Sequence, residues 1–532
     1  RWPELNQASD AVLRMERKDA RAWKDKGLAL RMMGDAEHGL KAYEAALAVD
    51  VDDLEALRGK RDCLKAVGTP KLVARVTREI LHLDAKDLTS WLDHAAALES
   101  LGEWTESLAA YDRAVQLAPG DALAWHRRGD VQLRLAHFDD AVASYRQAIR
   151  ANPGDADAWY GLGTGLGRIG KYGDAVAAYE SCLGLAPEDK RAWFGKGLAL
   201  EGAKRYEEAV ASYDRALAVD ARDARVWFSR GAALEWLERF EEAADAFDRA
   251  LGLDPKNVPY AVRKGRTLVR AGRDEEALIV FEAALEEKAG DLDALTGKRE
   301  VLEKFGRLDE AYAVTGSIVA AHPRDPKGWK DRAQLALAVG KLREALAAIN
   351  KALHLDPKNR EFLRVKRDVL TALKDFGGVA GVCDDLIQLD ARDTDAHREK
   401  AFALQSGGRI DDAMKAFDAA ITVDPMDRAS WNAKGLGLSR AGRQAEALEC
   451  FDHSLSINPG DRTALAEKGG TLLALGKHAQ ALRVFDDGLL LESGNADFLD
   501  GKALSLLALE KGSEALACAE VVLGAAPSRA WR

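Results

Sequence analysis

The sequence predicts an all-α fold, an α-solenoid of about fifteen 34-residue helix-turn-helix repeats, and three observations carry the prediction. Tryptophan recurs at Trp23, Trp91, Trp125, Trp159, Trp193, Trp227, Trp329 and Trp431, all on a single repeating lattice. The intervening slots of that lattice hold Leu57, Ala261, Leu295, Leu363, His397, Leu465 and Leu499. Within each period, apolar residues follow helical spacing twice, separated by glycine and followed by proline.

With Ala20 as position 1, the units are 20–53, 54–87, 88–121, 122–155, 156–189, 190–223, 224–257, 258–291, 292–325, 326–359, 360–393, 394–427, 428–461, 462–495 and 496–529. Apolar residues at positions 4, 8 and 11 mark a first helix, which glycine at position 15 ends in ten units. Apolar residues at 17, 20, 21, 24, 27, 28 and 30 mark a second helix, antiparallel to the first. Position 20 is alanine in eleven units, position 24 is often aromatic (Tyr145, Tyr179, Tyr213, Phe247), and position 32 is proline in nine. Residues 1–19 fit the second helix of a truncated preceding repeat, and 530–532 begin a further unit or a tail.

Unit 6 shows the full pattern: Trp193, Gly197, Ala209, Tyr213 and Ala216, with Pro187 closing the unit before. In this the chain resembles the tetratricopeptide repeat family over nearly its whole length. Its Lys-Gly pairs at positions 7–8 (Lys26-Gly27, Lys196-Gly197, Lys434-Gly435) are similar to those of long archaeal arrays. The resemblance implies a right-handed superhelix whose first helices line a concave side. It also implies that small residues at 8, 20 and 27 let helices approach while residue 4 fills the gap toward neighbouring units.

Units 2, 9 and 11 depart together. Arg61, Arg299 and Arg367 replace the small residue at position 8, position 24 shrinks to Thr77, Thr315 or Cys383, and position 27 grows to Ile80, Ile318 or Leu386. This reads as a compensated exchange of core volume.

Catalytic and cofactor chemistry find no support. Gly165-Leu166-Gly167-Arg168-Ile169-Gly170 matches a dinucleotide-binding pattern, but it lies inside a first helix, whose amides are already bonded. The run Gly161, Gly163, Gly165, Gly167 weakens that helix, making it a soft joint or a place where a ligand backbone comes close. Ten histidines form no His-x-x-x-His pair and lie near no cysteine cluster, so no metal is expected. Acidic pairs such as Glu207-Glu208 sit in the first turn of second helices, where they favour the helix dipole. No connection is long enough for a catalytic loop. Neither an enzyme nor a cofactor is expected.

Composition narrows the partners. Seventy-seven basic and 87 acidic residues give a net charge of −10, which offers no general attraction to nucleic acid or anionic lipid. No apolar run reaches the ~18–20 residues of a membrane span. Cys63, Cys182, Cys383, Cys450 and Cys518 lie far apart, as small buried hydrophobes in a reducing, cytoplasmic setting. The chain opens on Arg1 in mid-repeat, which implies an excised or processed N-terminus and leaves room for a signal peptide.

Positions 2, 5, 9, 12 and 13 share the face of the first helix that the resemblance turns inward. Along position 5 units 4–7 give His126, Tyr160, Phe194 and Phe228, with Arg191 and Arg225 at position 2, Glu201 and Glu235 at position 12, and Trp236 at position 13. Aromatic rings beside arginines are the usual makeup of binding hot spots. The competing reading is that position 5 is aromatic because first helices pack there. Lys330, Arg364 and Arg398 form a secondary basic flank. Basic residues at position 7 in thirteen units are expected to lay their stems on apolar surface with the charge in water. The family's clamp for acidic C-terminal peptides needs asparagine at positions 6 and 9, and neither position has one.

The sequence therefore predicts a non-catalytic protein–protein interaction scaffold that holds a peptide or partner segment in its concave groove, centred on units 4–8. A second reading makes it the targeting arm of a larger enzyme whose catalytic domain lies outside this chain. The truncated ends offer a surface for end-to-end self-association.

Overall fold

The computed structural model describes residues 1–525 and, among them, an all-α repeat array without strands. The tail 530–532 and the end of the last unit lie outside the described residues. First helices begin at Ala20, Leu54, Leu88, Ala122, Ala156 and Lys190, and the later units keep the same register. Each is followed by its second helix, as at Ala36, Pro70, Trp104, Phe138, Tyr172 and Tyr206, and a helix Trp2–Met15 precedes them all.

Local chemistry explains these boundaries. The residue before nearly every first helix is Asp or Asn, and its side chain accepts a hydrogen bond from a first-turn amide, as Asp121 does from Ala124 and Asp155 from Ala158 at 2.9 Å. Position 15 ends the first helix in the left-handed conformation throughout. Ten glycines adopt it at φ between 71° and 87°, and Ala136, Lys204, Glu238, Lys374 and Glu510 adopt it at 58–62°. Seven second helices start instead from a basic residue that grips the acidic residue three positions on, as Arg205 grips Glu208 at 2.7 Å.

The chain forms two compact bodies, Arg1–Val280 and Phe281 onward. In the first, the main core runs from Ala141 to Phe247 and is built on Tyr145, Tyr179, Tyr213 and Phe247. In the second, the core between Leu363 and Phe451 is built on Cys383, Phe417 and Phe451. The position-24 rings Tyr43, Tyr145, Tyr179 and Phe485 each lie between two glycines. A Cβ on Gly129 of its own unit or on Gly161 of the next would stand 2.9 Å or 2.4 Å from Tyr145. Glycine is thus required at these two positions by close approach of the ring, which buries on both faces.

Adjacent units are tied by two repeated contacts that the sequence pattern did not reveal. Each of the eight lattice tryptophans donates from its indole nitrogen to a carbonyl in the preceding turn, as Trp193 does to Pro187 at 2.8 Å. The position-7 cations do not simply reach water. Lys196 pairs with Glu180 at 2.8 Å, Arg230 with Asp214 at 2.7 Å and Lys434 with Asp418 at 2.5 Å, each time with an acid on the second helix of the unit before. Being half exposed, each pair stabilises by about 0.5 kcal/mol.

In the irregular units, Thr77, Thr315 and Cys383 are fully buried at position 24. Arg61 is itself 7% exposed and bonds Ser90 and Asp93 of the next unit. No helix among the described residues is long and apolar enough to cross a membrane.

Candidate partner-binding site

Position 5 of the first helices carries the expected row of rings, and each rests on the buried ring of its own hairpin. Ring centroids lie 5.9 Å apart for His126 and Tyr145, Tyr160 and Tyr179, and Phe194 and Tyr213, and 5.3 Å for Phe228 and Phe247. One face of each ring therefore belongs to the core. What happens at the other face differs between units.

At Tyr160 and Phe194 the other face looks into a cavity of about 540 Å³, whose lining also includes Tyr172, Arg191, Leu198 and Arg225. Arg191 lies over the Tyr160 ring at 5.0 Å and Arg225 over Phe194 at 5.9 Å. Both guanidiniums are fixed from behind. Arg191 donates to Asp189 at 2.8 and 3.1 Å and to Asp157 at 2.8 Å; Arg225 donates to Asp223 at 2.8 and 3.1 Å. Burial opposes ionisation of Asp189, but the Arg191 side chain and amide outweigh it and hold the carboxyl below the ordinary range. The Arg225 hydrogen bond does the same for Asp223.

Gly167 lines this space, and Gly202 lies against its Tyr172 wall. Position 12 is glycine only at Gly167, and position 13 only at Gly202, among the fifteen units. Nothing lies within 4 Å of where a Gly167 Cβ would stand. In four units the position-13 side chain covers the position-17 ring of the preceding unit: Arg134 lies over Trp104 at 4.8 Å, Arg168 over Phe138 at 5.2 Å, Arg270 over Phe240 at 5.0 Å, and Trp236 stacks on Tyr206 at 5.6 Å. Gly202 has no side chain to lay over Tyr172, whose ring settles against the glycine, 2.5 Å from an added Cβ. The other members of the glycine run serve packing: Gly161, Gly163 and Gly165 sit against Tyr145, Tyr179 and Val142.

The remaining expected site residues do not line the cavity. His126 is bonded to Asp155 at 2.9 Å. Phe228 stacks on Tyr260 at 4.7 Å, with the planes 23° apart. Trp236 is one of the covers just described, although it is 63% exposed. Glu201 accepts from the Tyr213 hydroxyl at 2.8 Å, and burial pushes its carboxyl above the ordinary range. Glu235 is a correction: it is 6% exposed, gripped by Arg263 and Thr267 of the next unit, and is a joint between units, not a groove edge. The basic flank is internally neutralised, Lys330 by Glu361 and Asp331, Arg364 by Asp393, and Arg398 by Asp427 and Asp395. Among the described residues no group of three or more His, Cys, Asp or Glu side chains could hold a metal ion.

Hairpins of this length, register and capping lead to a family, and comparison with known sequences gives the same one. Tetratricopeptide repeat models match residues 88–131, 126–164, 162–221, 205–258, 237–293 and 330–393. The chain belongs to the tetratricopeptide repeat family. A model of the bacterial transcriptional activator domain also matches residues 370–458, a stretch made of the same helical hairpins as the rest of this tetratricopeptide repeat protein. No curated protein matches the chain. Among solved structures it is similar to YrrB, described as a TPR protein with an unusual peptide-binding site, at 24% identity over 35% of this chain and 96% of that one, with a TM-score of 0.32. MamA from Desulfovibrio magneticus RS-1 matches at 20% identity over 32% and 96%, with a TM-score of 0.31. The Naa15/Naa10 complex bound to HypK-THB matches at 17% identity over 96% and 94%, with a TM-score of 0.34.

Proposed function

We propose that this tetratricopeptide repeat protein is a non-catalytic interaction scaffold that seats a side chain of an extended partner segment between units 5 and 7. The observation that carries the reading is the Gly167 cavity: a space of about 540 Å³, walled by the exposed faces of Tyr160 and Phe194 and bordered by two immobilised arginines. Rings and arginines held in place before a partner arrives lose little conformational freedom on binding, which is how a preformed surface gains affinity. The stacked hairpins supply that rigidity, because every element is bonded to its sequence neighbours.

The test is Gly167→Leu. The added side chain enters open space, so the helix keeps its packing and gains propensity, while the cavity is filled. Affinity capture from the native host, followed by mass spectrometry, is expected to lose the partner with this variant. Retention of the same partner places the site elsewhere. Phe194→Ala with Phe228→Ala also removes capture on this reading, but Phe228 packs against Tyr260 and Phe247, so that variant disturbs packing as well.

A further inference from the structure

Resting on the proposed cavity, we infer that the partner side chain seated there is aromatic (Phe, Tyr or Trp), its ring packed on Phe194 as the chain's own Tyr260 is packed on Phe228.

Two consecutive units meet the same ring in different ways. Phe194 and Phe228 stand at position 5 of units 6 and 7, and each rests on the position-24 ring of its own hairpin, Tyr213 at 5.9 Å and Phe247 at 5.3 Å. The next unit then comes to the ring with its position-3 residue. For Phe228 that residue is Tyr260, whose ring lies 4.7 Å away with the planes 23° apart. For Phe194 it is Val226, because position 3 is alanine or valine throughout units 4–7. Among the described residues Phe228 therefore meets two rings and Phe194 one. The space follows the same division: Phe194 and Val226 line the cavity, and Phe228, already covered by Tyr260, does not. The fold itself thus shows what closes this face when the chain supplies it, and that is an aromatic ring.

The other walls favour the same class. Tyr160 and Tyr172 present further rings, and the guanidiniums of Arg191 and Arg225 are planar cations held beside Tyr160 and Phe194. Tilted and offset ring pairs gain more than the area they bury, and a guanidinium is attracted to the face of a ring. An aliphatic side chain gains neither. Both arginines already have carboxylate partners, Asp189 and Asp157 for Arg191 and Asp223 for Arg225, so the occupant need carry no charge.

The experiment is selection of a phage-displayed random dodecapeptide library on the full chain, repeated on Gly167→Leu. The expected result is enrichment of peptides that share Phe, Tyr or Trp at one position and do not bind Gly167→Leu. A representative peptide and its aromatic-to-Leu analogue are then titrated by fluorescence anisotropy against the parent and against Phe194→Leu, which keeps an apolar side chain on Tyr213; circular dichroism checks that helicity is kept. Removing the peptide's ring is expected to weaken binding about tenfold on the parent and by less than about twofold on Phe194→Leu. Enriched peptides with no shared aromatic residue, or a loss of equal size on both proteins, overturn this inference; if those peptides still fail to bind Gly167→Leu, the cavity reading stands. Peptides that bind Gly167→Leu as well as the parent, or no enrichment at all, overturn both.

Discussion

The indole nitrogen of Trp193 donates to the carbonyl of Pro187 at 2.8 Å, so the first helix of unit 6 is fastened to the turn that ends unit 5. The same bond recurs in seven other units, and His397, standing in for tryptophan, places its Nε2 3.2 Å from the Ala391 carbonyl. It is the smallest element of the linkage that turns separate hairpins into an array.

Trp193→Phe keeps an aromatic ring but removes the donor and part of the indole's packing, so it is expected to destabilise the joint by about 1–2 kcal/mol. Because repeat arrays unfold in nearest-neighbour fashion, the loss belongs in native-state hydrogen exchange of units 5 and 6, with distant units unchanged. Uniform loss across the chain would contradict a local joint.

Position 15 supplies a second prediction. Lys204 and Glu238 hold a left-handed backbone at φ of 60° and 58°, which glycine occupies without the strain of a side chain. Lys204→Gly and Glu238→Gly are each expected to stabilise by about 0.5–1 kcal/mol, read as a rise in the thermal midpoint. Gly170→Ala, at φ 79°, is expected to lower it by a similar amount.

The same substitution should have opposite signs at two glycines. A Cβ on Gly197 would stand 2.3 Å from the Tyr213 ring, so Gly197→Ala overpacks the core and costs about 1–3 kcal/mol. Gly167→Ala meets nothing within 4 Å and gains up to about 1 kcal/mol of helix propensity. Equal effects in thermal unfolding would refute the cavity geometry.

The pH dependence follows from Asp223. Its folded-state pKa is lowered, first by the Arg225 hydrogen bond, so its contribution is full above the ordinary carboxylate pKa of about 4 and disappears as pH falls through the lower folded value. Asp223→Asn keeps a capping side chain but not the charge. It is expected to cost about 0.5 kcal/mol at neutral pH and to flatten the acid limb of stability against pH. An acid limb identical to the parent's would contradict the assignment.

Much of the fold was legible because its determinants are local and periodic. Asp121, Gly170 and Pro187 act within a turn of where they stand, and the regular beat of Trp193 and its equivalents announces itself without knowledge of any contact. The site was legible only in part. Tyr160, Arg191, Phe194 and Arg225 share a helix face, and the structure gathers them around one space. Glu235 and Trp236 share that face too, yet they bond to the adjoining unit, because position on a helix gives direction but not the reach of a neighbour's side chain. The opening was legible in part: the glycine run ending at Gly167 marks a place where a ligand backbone comes close, but Gly202 went unread, because a single missing side chain carries no hydrophobic or charge signature.

The most direct measurement places a photoreactive benzoylphenylalanine at Leu198, on the cavity lining and 46% exposed, and in a second protein at Ile279, an accessible side chain at 64% outside it. After irradiation in host extract, cross-linked partner peptides are identified by mass spectrometry. The cavity account predicts one recurrent partner from Leu198 that is absent from Ile279 and abolished by Gly167→Leu. The same adducts from both positions, or adducts indifferent to Gly167→Leu, would contradict it.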